Sequence, residues 1–214
     1  LYWKLDDAKG ATATTAADSS GNNRTGNYSP NASWTMQQVG GLTGQTPNYS
    51  ALAAGGASDN TSCVYTANGV AAESPAPNTY SEIIWFKTAA GYTGGGKLIG
   101  FESTQNGVSN NGQGGQYDRM IYMDGAGKLY FAVWINAVKT VTSSTSYNDG
   151  NWHMAVATMG TDGMKLYVDN VMVGSDANNQ SQDYTSTNGG WWRVGCGNLQ
   201  GWGSAWTGAN NPDS

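Results

Sequence analysis

The chain has 214 residues, a formal net charge of −5 and only 12% charged residues, whereas typical soluble domains carry about 25%. Asparagine, serine, threonine and glutamine must therefore solvate the surface, which suits an extracellular protein that meets neutral, hydroxyl-rich partners. The acidic balance disfavours nucleic acid as a partner, and no basic amphipathic run or apolar stretch approaching roughly 20 residues predicts membrane insertion.

Short alternating segments recur between Gly, Asn and Asp turns, a pattern typical of β-strands. The alanine-rich region 6–18 contains Gly10 and several threonines and is predicted to be a loop. No window keeps a helical period of 3.6 for three turns. We predict strands over residues 79–88, 97–102, 118–124, 128–135, 138–144, 151–160, 164–170, 171–175 and 190–195. The chain is therefore expected to form one core in a β-sandwich or barrel.

The segment 151–170, "NWHMAVATMGTDGMKLYVDN", contains the chain's single histidine, His153. Side chains alternate between the two faces of a strand. One face carries Trp152, Met154 and Val156, and the opposite face carries His153, Ala155, Ala157 and Met159. Both faces are largely apolar, as in a central strand of a two-layer sandwich. No nucleophile motif accompanies the imidazole, so we predict a structural His153 that is buried or half-buried and hydrogen-bonded to the backbone.

The longer stretch "DGNWHMAVATMGTDGMKLYVDNVMVGS" resembles the hallmark segment of laminin-G-like jelly-roll domains, within the concanavalin A-like lectin/glucanase superfamily. That segment has the form D-G-x-W-H, a strand, a turn and L-Y-V-D-G. The segments "YWKLDD…AADSSGNNRTGNYS" and "YSEIIWFKT…GGKLIGFES" are similar to the family's opening and core strands. The segments "YDRMIYMDGAGKLYFAVW" and "WWRVGCGNLQGW" resemble versions common in secreted actinobacterial proteins.

The resemblance covers nearly the whole chain and implies an all-β, two-sheet antiparallel jelly-roll sandwich, with residues 1–214 as a single domain. Three features depart from the family pattern. Asn170 replaces the usual glycine, and Met154 replaces the second histidine of a common pair. The usual final strand, of the form G-S-I-D-E-V-x-V-Y, does not follow "GANNPDS", so the domain is expected to lack it.

The superfamily also includes glycoside hydrolases, which need two carboxylates about 5–9 Å apart. The family's E-x-D-x-E triplet is absent. The glutamates are Glu73, Glu82 and Glu102, and none has an acidic residue two positions away. Glu82 is predicted to face solvent. The chain is therefore predicted not to be an enzyme, and a glycoside hydrolase is the least favoured function.

A loop rich in oxygen ligands, "DSSGNNRTG", follows the alanine-rich region. Asp18 and Asn23, together with Ser19 and Gly21, offer the oxygen ligands that suit a hard cation. The resemblance implies a structural Ca²⁺ at this loop. The alternative is an ordinary Asx-turn without metal.

The two cysteines, Cys63 and Cys196, are too far apart in sequence for a zinc motif. They form either one long-range disulfide or two buried thiols. The extracellular character of the composition favours the disulfide.

Aromatic residues supply the strongest indication of binding. The segment "WWRVGCGNLQGWGSAW" concentrates four tryptophans, and exposed indoles present flat apolar faces to sugar rings. The predicted ligand groove consists of Trp192, Trp202, Trp206, Tyr117, Asp118 and Arg119. The alternative is that these tryptophans cover the end of the sandwich or pack against another domain.

The function predicted from these features is a non-catalytic, extracellular or cell-surface module that binds carbohydrate or mediates adhesion. The alternative is a structural or assembly domain of a surface fibre, stalk or virion appendage. The expected partners are a glycan or a surface protein. A homo-oligomer or neighbouring domains of the same chain are further partners that the sequence leaves open.

Overall fold

The computed structural model describes residues 1–7, 15–28, 34–39, 49–53, 64–67, 73, 75–105, 116–180, 189–197, 199 and 201–202. Strands form all the regular secondary structure of these residues. The first seven are β1 (Thr15–Ala16), β2 (Gly26–Tyr28), β3 (Trp34–Val39), β4 (Tyr49–Ala53), β5 (Val64–Thr66), β6 (Tyr80–Phe86) and β7 (Gly96–Glu102). The others are β8 (Tyr117–Met123), β9 (Lys128–Trp134), β10 (Val138–Ser146), β11 (His153–Gly160), β12 (Gly163–Val168), β13 (Val171–Asp176) and β14 (Trp191–Val194).

Two antiparallel sheets make the sandwich. Within the described ranges, the large sheet has eight strands in the order β1-β2-β5-β14-β7-β8-β9-β10, and the small sheet has four in the order β13-β12-β11-β6. Strands β3 and β4 pair separately as a two-stranded sheet. Strands β9 and β10 of the large sheet lie against β12 and β13 of the small one. The prediction of an all-β, two-sheet antiparallel fold is therefore confirmed.

The main core lies between the facing sides of the two sheets. Alternation along β9 turns Leu129, Phe131 and Val133 inward, and all three are fully buried. The facing row of β11, which includes Ala155 and Ala157, is equally buried. These alanines take little volume, so the larger side chains of β9 and its neighbours fill the space between the layers.

The observed strands from β6 onward agree with the predicted positions, whereas the earlier strands were not predicted. Strand β1, at Thr15–Ala16, lies in the region predicted to be a loop. Strands β1, β2 and β5 have only two or three residues each, too few for a period-two pattern to be recognised. Among the described residues, no helix is long and apolar enough to cross a membrane.

Replacing Leu166 with alanine should lower the free energy of unfolding by about 2–5 kcal/mol, because it leaves a cavity in the shared core. Leu166 is fully buried, whereas Val171 is 63% exposed at the edge of the same sheet. The control Val171→Ala should therefore cost less than about 1 kcal/mol. Urea denaturation measures both, and equal losses would contradict this assignment of the core.

Candidate functional site

Three aromatic side chains meet on the outer face of the large sheet, and we call Tyr117, Trp134 and Trp202 the aromatic ledge. Tyr117 begins β8 and Trp134 ends the antiparallel neighbour β9, so both lie at the same end of the sheet. Trp202 follows β14 in the chain. Its ring centroid lies 6.1 Å from that of Tyr117 and 6.3 Å from that of Trp134. The sequence pattern predicted Tyr117 and Trp202 together, and the structure brings them together.

The three members of the ledge differ in exposure. Trp202 is only 5% exposed, because it packs with Leu199 on Met120, Tyr122 and Ala132 of the sheet beneath. Trp134 is 44% exposed and meets Trp202 edge to face, with their ring planes at 67°. Trp202 therefore forms a fixed wall, and Trp134 offers an open indole face beside it.

Asp118 positions the ledge but does not reach its surface. Its carboxylate accepts hydrogen bonds from the backbone N–H groups of Arg119 and Trp134, the latter at 3.1 Å. Burial raises the pKa of Asp118 to about 6, although the neighbouring Arg119 charge works in the opposite direction. Asp118 thus ties the end of β9 to the start of β8 and fixes the backbone of Trp134.

Arg119 is also fully buried. Its φ of 46° lies in the left-handed region, at an irregular point in the pairing of β7 and β8. The Nε group donates to the carbonyl oxygen of Pro77 at 2.8 Å, and the guanidinium lies 5.4 Å from the centre of the Phe101 ring. Asp118 and Arg119, both predicted as groove residues, are therefore enclosed and cannot contact a ligand in this conformation.

Trp192 is partly buried and packs against aromatic neighbours away from the ledge. Its ring contacts Phe101 at 5.1 Å between centroids and Tyr80 at 6.1 Å. The indole Nε1 donates to Glu73 at 3.2 Å. Trp206, the remaining predicted groove residue, lies outside the described residues.

The three glutamates are buried or ion-paired, and so is Asp118. Glu73 pairs with Arg24. Glu102 pairs with Lys97 at 2.9 Å and with Arg193 at 3.1 Å, and the three side chains are at most 1% exposed. Asp118 is fully buried, and its carboxylate accepts hydrogen bonds from two backbone N–H groups.

The prediction that Glu82 faces solvent is wrong, because this residue is only 2% exposed. Alternation along β6 places Glu82 on the inward row with Phe86 and leaves Ile83 and Trp85 outside. Both carboxyl oxygens of Glu82 are buried without a hydrogen-bond partner. Burial raises the pKa of Glu82 well above its ordinary value, with nearby Asp118 adding to the effect. The sequence prediction failed because apolar residues occupy both faces of this strand.

The single histidine forms a bridge between two turns. His153 Nδ1 lies 2.7 Å from an Asp169 carboxylate oxygen, and Nε2 lies 3.0 Å from Asp149. The second oxygen of Asp169 accepts from the Met154 backbone N–H at 2.9 Å. Asp149 also accepts two hydrogen bonds from Asn151. The imidazole therefore joins the turn before β11 to the turn after β12.

The charges at this bridge favour an imidazolium ion. Burial alone would lower the pKa of His153, but the hydrogen bonds to Asp169 and Asp149 raise it above its ordinary value. Hydrogen bonds from Asn151 and then from His153 lower the pKa of Asp149 to about 2. The bonding partners are thus carboxylates and not the backbone groups that were expected. The hairpin register pairs Ala155 with Val168 and so places Asp169 beside Met154. This register follows from the short turn between the two strands, so the sequence could have predicted that Asp169 lies near His153.

The loop at Asp18 has the hydrogen bonds of an Asx-turn. One carboxylate oxygen accepts from the backbone N–H groups of Tyr2 and Ser20, and the other accepts from the Ser20 hydroxyl and the Arg24 N–H. Desolvation works against ionisation, but these backbone hydrogen bonds hold the pKa of Asp18 well below its usual range. Within the described ranges, no group of three or more His, Cys, Asp or Glu residues could hold a metal ion. The donors around Asp18 do not fit the Ca²⁺ implied for Asp18 and Asn23, because N–H groups surround the carboxylate.

Only one of the two cysteines of the predicted disulfide, Cys196, lies among the described residues. Cys196 is buried beside Tyr65, and Cys63 lies outside the described residues. Val64, the sequence neighbour of Cys63, pairs with Val194 across β5 and β14. A bridge between Cys63 and Cys196 stays a prediction, and this register is compatible with it.

Sequence reasoning missed Trp134, the most exposed member of the ledge. The signal was present, because alternation from the inward Leu129, Phe131 and Val133 turns Trp134 outward. The contact with Trp202 could not be read from sequence, because it depends on how the chain after β14 crosses the sheet.

The His153 bridge should make stability depend on pH above neutrality. Because the pKa of His153 is raised in the folded state, its contribution is complete below the unfolded pKa of about 6.5 and is lost as pH rises through the folded pKa. We expect the unfolding free energy to fall more steeply above about pH 6.5 in the parent protein than in His153→Gln. Urea denaturation at stepped pH measures this difference. The pH dependence that arises from Asp118 and Glu82 is common to both proteins and cancels in the comparison. Parallel stability profiles of the parent protein and His153→Gln would therefore contradict the bridge.

Calcium should leave the fold unaffected at the Asp18 loop. A cation there would have to displace backbone N–H groups from the carboxylate, so melting temperatures in excess Ca²⁺ and in EDTA should agree within about 1 °C. Thermal unfolding followed by circular dichroism measures the two values. A calcium-dependent rise that Asp18→Asn abolishes would contradict this reading of the loop.

The comparisons with solved structures give fold-level likenesses only. The carbohydrate-binding module of the Ruminococcus gnavus IT-sialidase, bound to α2,6-sialyllactose, aligns at TM-score 0.41 and 12% identity, over 56% of this chain and 66% of that one. Domains LG4-5 of the mouse laminin α1 chain align at TM-score 0.36 and 19% identity, over 57% and 30%. A Bacillus licheniformis β-glucanase aligns at TM-score 0.42 and 13% identity, over 91% and 82%. The chain thus matches less than two thirds of the sialidase module and of the laminin chain.

A search among curated proteins finds no match. Residues 58–209 match the model of a laminin G family described as part of the concanavalin A-like lectin/glucanases superfamily. This match covers most of the chain, including the His153 bridge and the aromatic ledge. The chain belongs to the laminin G family of the concanavalin A-like lectin/glucanases superfamily.

Proposed function

We propose that the chain is a non-catalytic, extracellular module that binds carbohydrate or mediates adhesion. The observation that carries this proposal is the aromatic ledge, where the half-exposed indole of Trp134 stands against the buried wall of Trp202. Exposed aromatic rings pack against the apolar C–H faces of sugars, and their flat surface gives a large contact area.

The electrostatic setting supports a neutral glycan as the ligand. Lys97 Nζ lies 5.5 Å from the centre of the Tyr117 ring and forms a buried ion pair with Glu102, which also pairs with Arg193. The Asp118 carboxylate accepts hydrogen bonds from backbone N–H groups. The ledge therefore presents ring faces with little formal charge, which suits hydroxylated ligands without phosphate or sulfate.

The same groups support a non-catalytic reading. Hydrolysis of a glycosidic bond by the usual route needs two carboxyl groups that reach one substrate. Glu73, Glu82, Glu102 and Asp118 are each buried or ion-paired, and none of them lies on the exposed part of the ledge. We therefore assign binding and not turnover to this face.

Replacing Trp134 with alanine should weaken glycan binding about tenfold or more, because it removes the exposed ring face. The matched control is Trp85→Ala, since Trp85 is 46% exposed on the other sheet. A polysaccharide array identifies the ligand, and titration calorimetry measures both variants. A blank array at high protein concentration, or equal losses in the two variants, would contradict the proposal.

The second candidate function is that of an assembly domain. The observation that favours it is an apolar stripe on the outer face of the small sheet, formed by Ile83, Trp85 and Met172. These side chains are between 46% and 59% exposed. Such a stripe is typical of a surface that another polypeptide covers.

A further inference from the structure

Strand β9 turns a second aromatic side chain to the same outer face as the ledge. Its inward row is Leu129, Phe131 and Val133, so Tyr130 points outward as Trp134 does. Four residues separate Tyr130 from Trp134, which places them about 13 Å apart along an extended strand. The aromatic surface of the ledge therefore continues along β9.

The ring of Tyr130 is held in one orientation. It stacks on Tyr122 of the neighbouring strand β8, with ring centroids 4.8 Å apart and ring planes at 5°. Its hydroxyl group donates to Asp124 at 3.1 Å, and the other oxygen of Asp124 accepts from the backbone N–H groups of Ala126 and Lys128. Tyr122 is fully buried, whereas Tyr130 is half-buried. Tyr130 therefore presents a fixed ring to a ligand, which reduces the ordering that binding requires.

Two threonine hydroxyl groups lie on the same surface. Strand β10 pairs with β9 so that Thr142 lies opposite Tyr130 and Thr140 lies opposite Ala132. Residues that lie opposite each other share one face of a sheet, so both threonines point outward. Thr140 is exposed and Thr142 is half-buried. Within the described residues neither hydroxyl group makes a hydrogen bond, so both are available to a ligand.

The chain after β14 bounds this surface on one side. Leu199 and Trp202 pack on Met120 and Ala132, and both of these residues are fully buried. A ligand is therefore kept from the middle of β8 and lies along β9 and β10. We call the open surface that remains the shelf, and it consists of Trp134, Thr140, Thr142 and Tyr130.

The shelf has no charged side chain of its own. The Asp124 carboxylate is buried beside the Tyr130 hydroxyl group, and Lys128 lies two positions beyond Tyr130, outside the shelf. A ligand that matches the shelf therefore has apolar C–H faces for the two rings, hydroxyl groups for the threonines and no formal charge.

The distance between the two rings determines how long this ligand must be. The bonds of a sugar ring are about 1.5 Å long, so a single ring is much shorter than the span from Trp134 to Tyr130. Only a chain of several sugar residues can contact both aromatic rings.

We infer that the shelf binds the internal part of a linear, neutral polysaccharide chain and not a single terminal sugar. One sugar residue packs on Trp134, a later residue of the same chain packs on Tyr130, and hydroxyl groups between them bond to Thr140 and Thr142. The inference rests on the proposed function, because Trp134 belongs to both surfaces. It adds Tyr130 and the two threonines as the residues that select for chain length.

The dependence of affinity on chain length tests the shelf. The probes are oligosaccharides of one to six residues from four neutral linear polysaccharides: β-1,4-glucan, β-1,4-xylan, β-1,4-mannan and α-1,4-glucan. Titration calorimetry measures their binding to the whole chain. In at least one series we expect affinity to rise about tenfold or more from the disaccharide to the hexasaccharide, because only the longer chain reaches the second ring.

Substitutions of Tyr130 should alter this length dependence in a defined way. In Tyr130→Ala the hexasaccharide should bind only about as tightly as the disaccharide binds the parent protein, and disaccharide affinity should not change. Tyr130→Phe keeps the ring and should keep the length dependence. Circular dichroism verifies that each variant is folded.

A second substitution does not depend on removing the stacked ring. Thr142→Val keeps the shape of the side chain and removes the hydroxyl group, so hexasaccharide affinity should fall about twofold to tenfold while disaccharide affinity stays the same. The matched control is Thr158→Val, since Thr158 is also half-buried and points outward from β11 on the other sheet. This control should change neither affinity.

Failure of the shelf and failure of the proposed function give different results. Equal affinity for short and long chains in every series, or full length dependence in folded Tyr130→Ala, would overturn the shelf and leave the ledge intact. Undiminished binding by Trp134→Ala would contradict the ledge itself. If no oligosaccharide of any series binds, the shelf is overturned, and the polysaccharide array then decides the proposed function separately.

Discussion

The alternation of side chains between the two faces of each strand is the constraint on which the other features depend. In β9 it sends Leu129, Phe131 and Val133 into the core and turns Trp134 to the outside. In β11 it sends His153 and the two alanines inward. Because the period is two, a register shift of one residue would exchange these faces and abolish the core and the ledge together.

The His153 bridge explains why the hallmark segment of the family has polar residues at its ends. Asp149 and Asp169 lie on turns that flank β11 and β12, and the imidazole between them ties the turns to the end of the core. Phe86 and Tyr147 pack against the ring. The imidazole thus lies between two carboxylates and two aromatic rings, and its hydrogen bonds to Asp149 and Asp169 join the two turns.

The two outer faces of the sandwich carry different chemistry. On the large sheet, Trp202 and Leu199 cover most of the aromatic surface and leave Trp134 open. On the small sheet, the edge strand β6 combines exposed Ile83 and Trp85 with the enclosed Glu82. The proposed glycan surface therefore lies on the large sheet, and the core separates it from the exposed apolar side chains of the small sheet.

The sequence by itself determined the fold class and most strand positions from β6 onward, because period-two patterns and turn residues are local properties. It also indicated Tyr117 and Trp202 as members of one aromatic group. Only the tertiary structure decided that Asp118 and Arg119 are enclosed, that Glu82 faces inward, and that Trp134 completes the ledge. Burial depends on which strands lie side by side and which layer covers them, and these pairings join residues that are far apart in the chain.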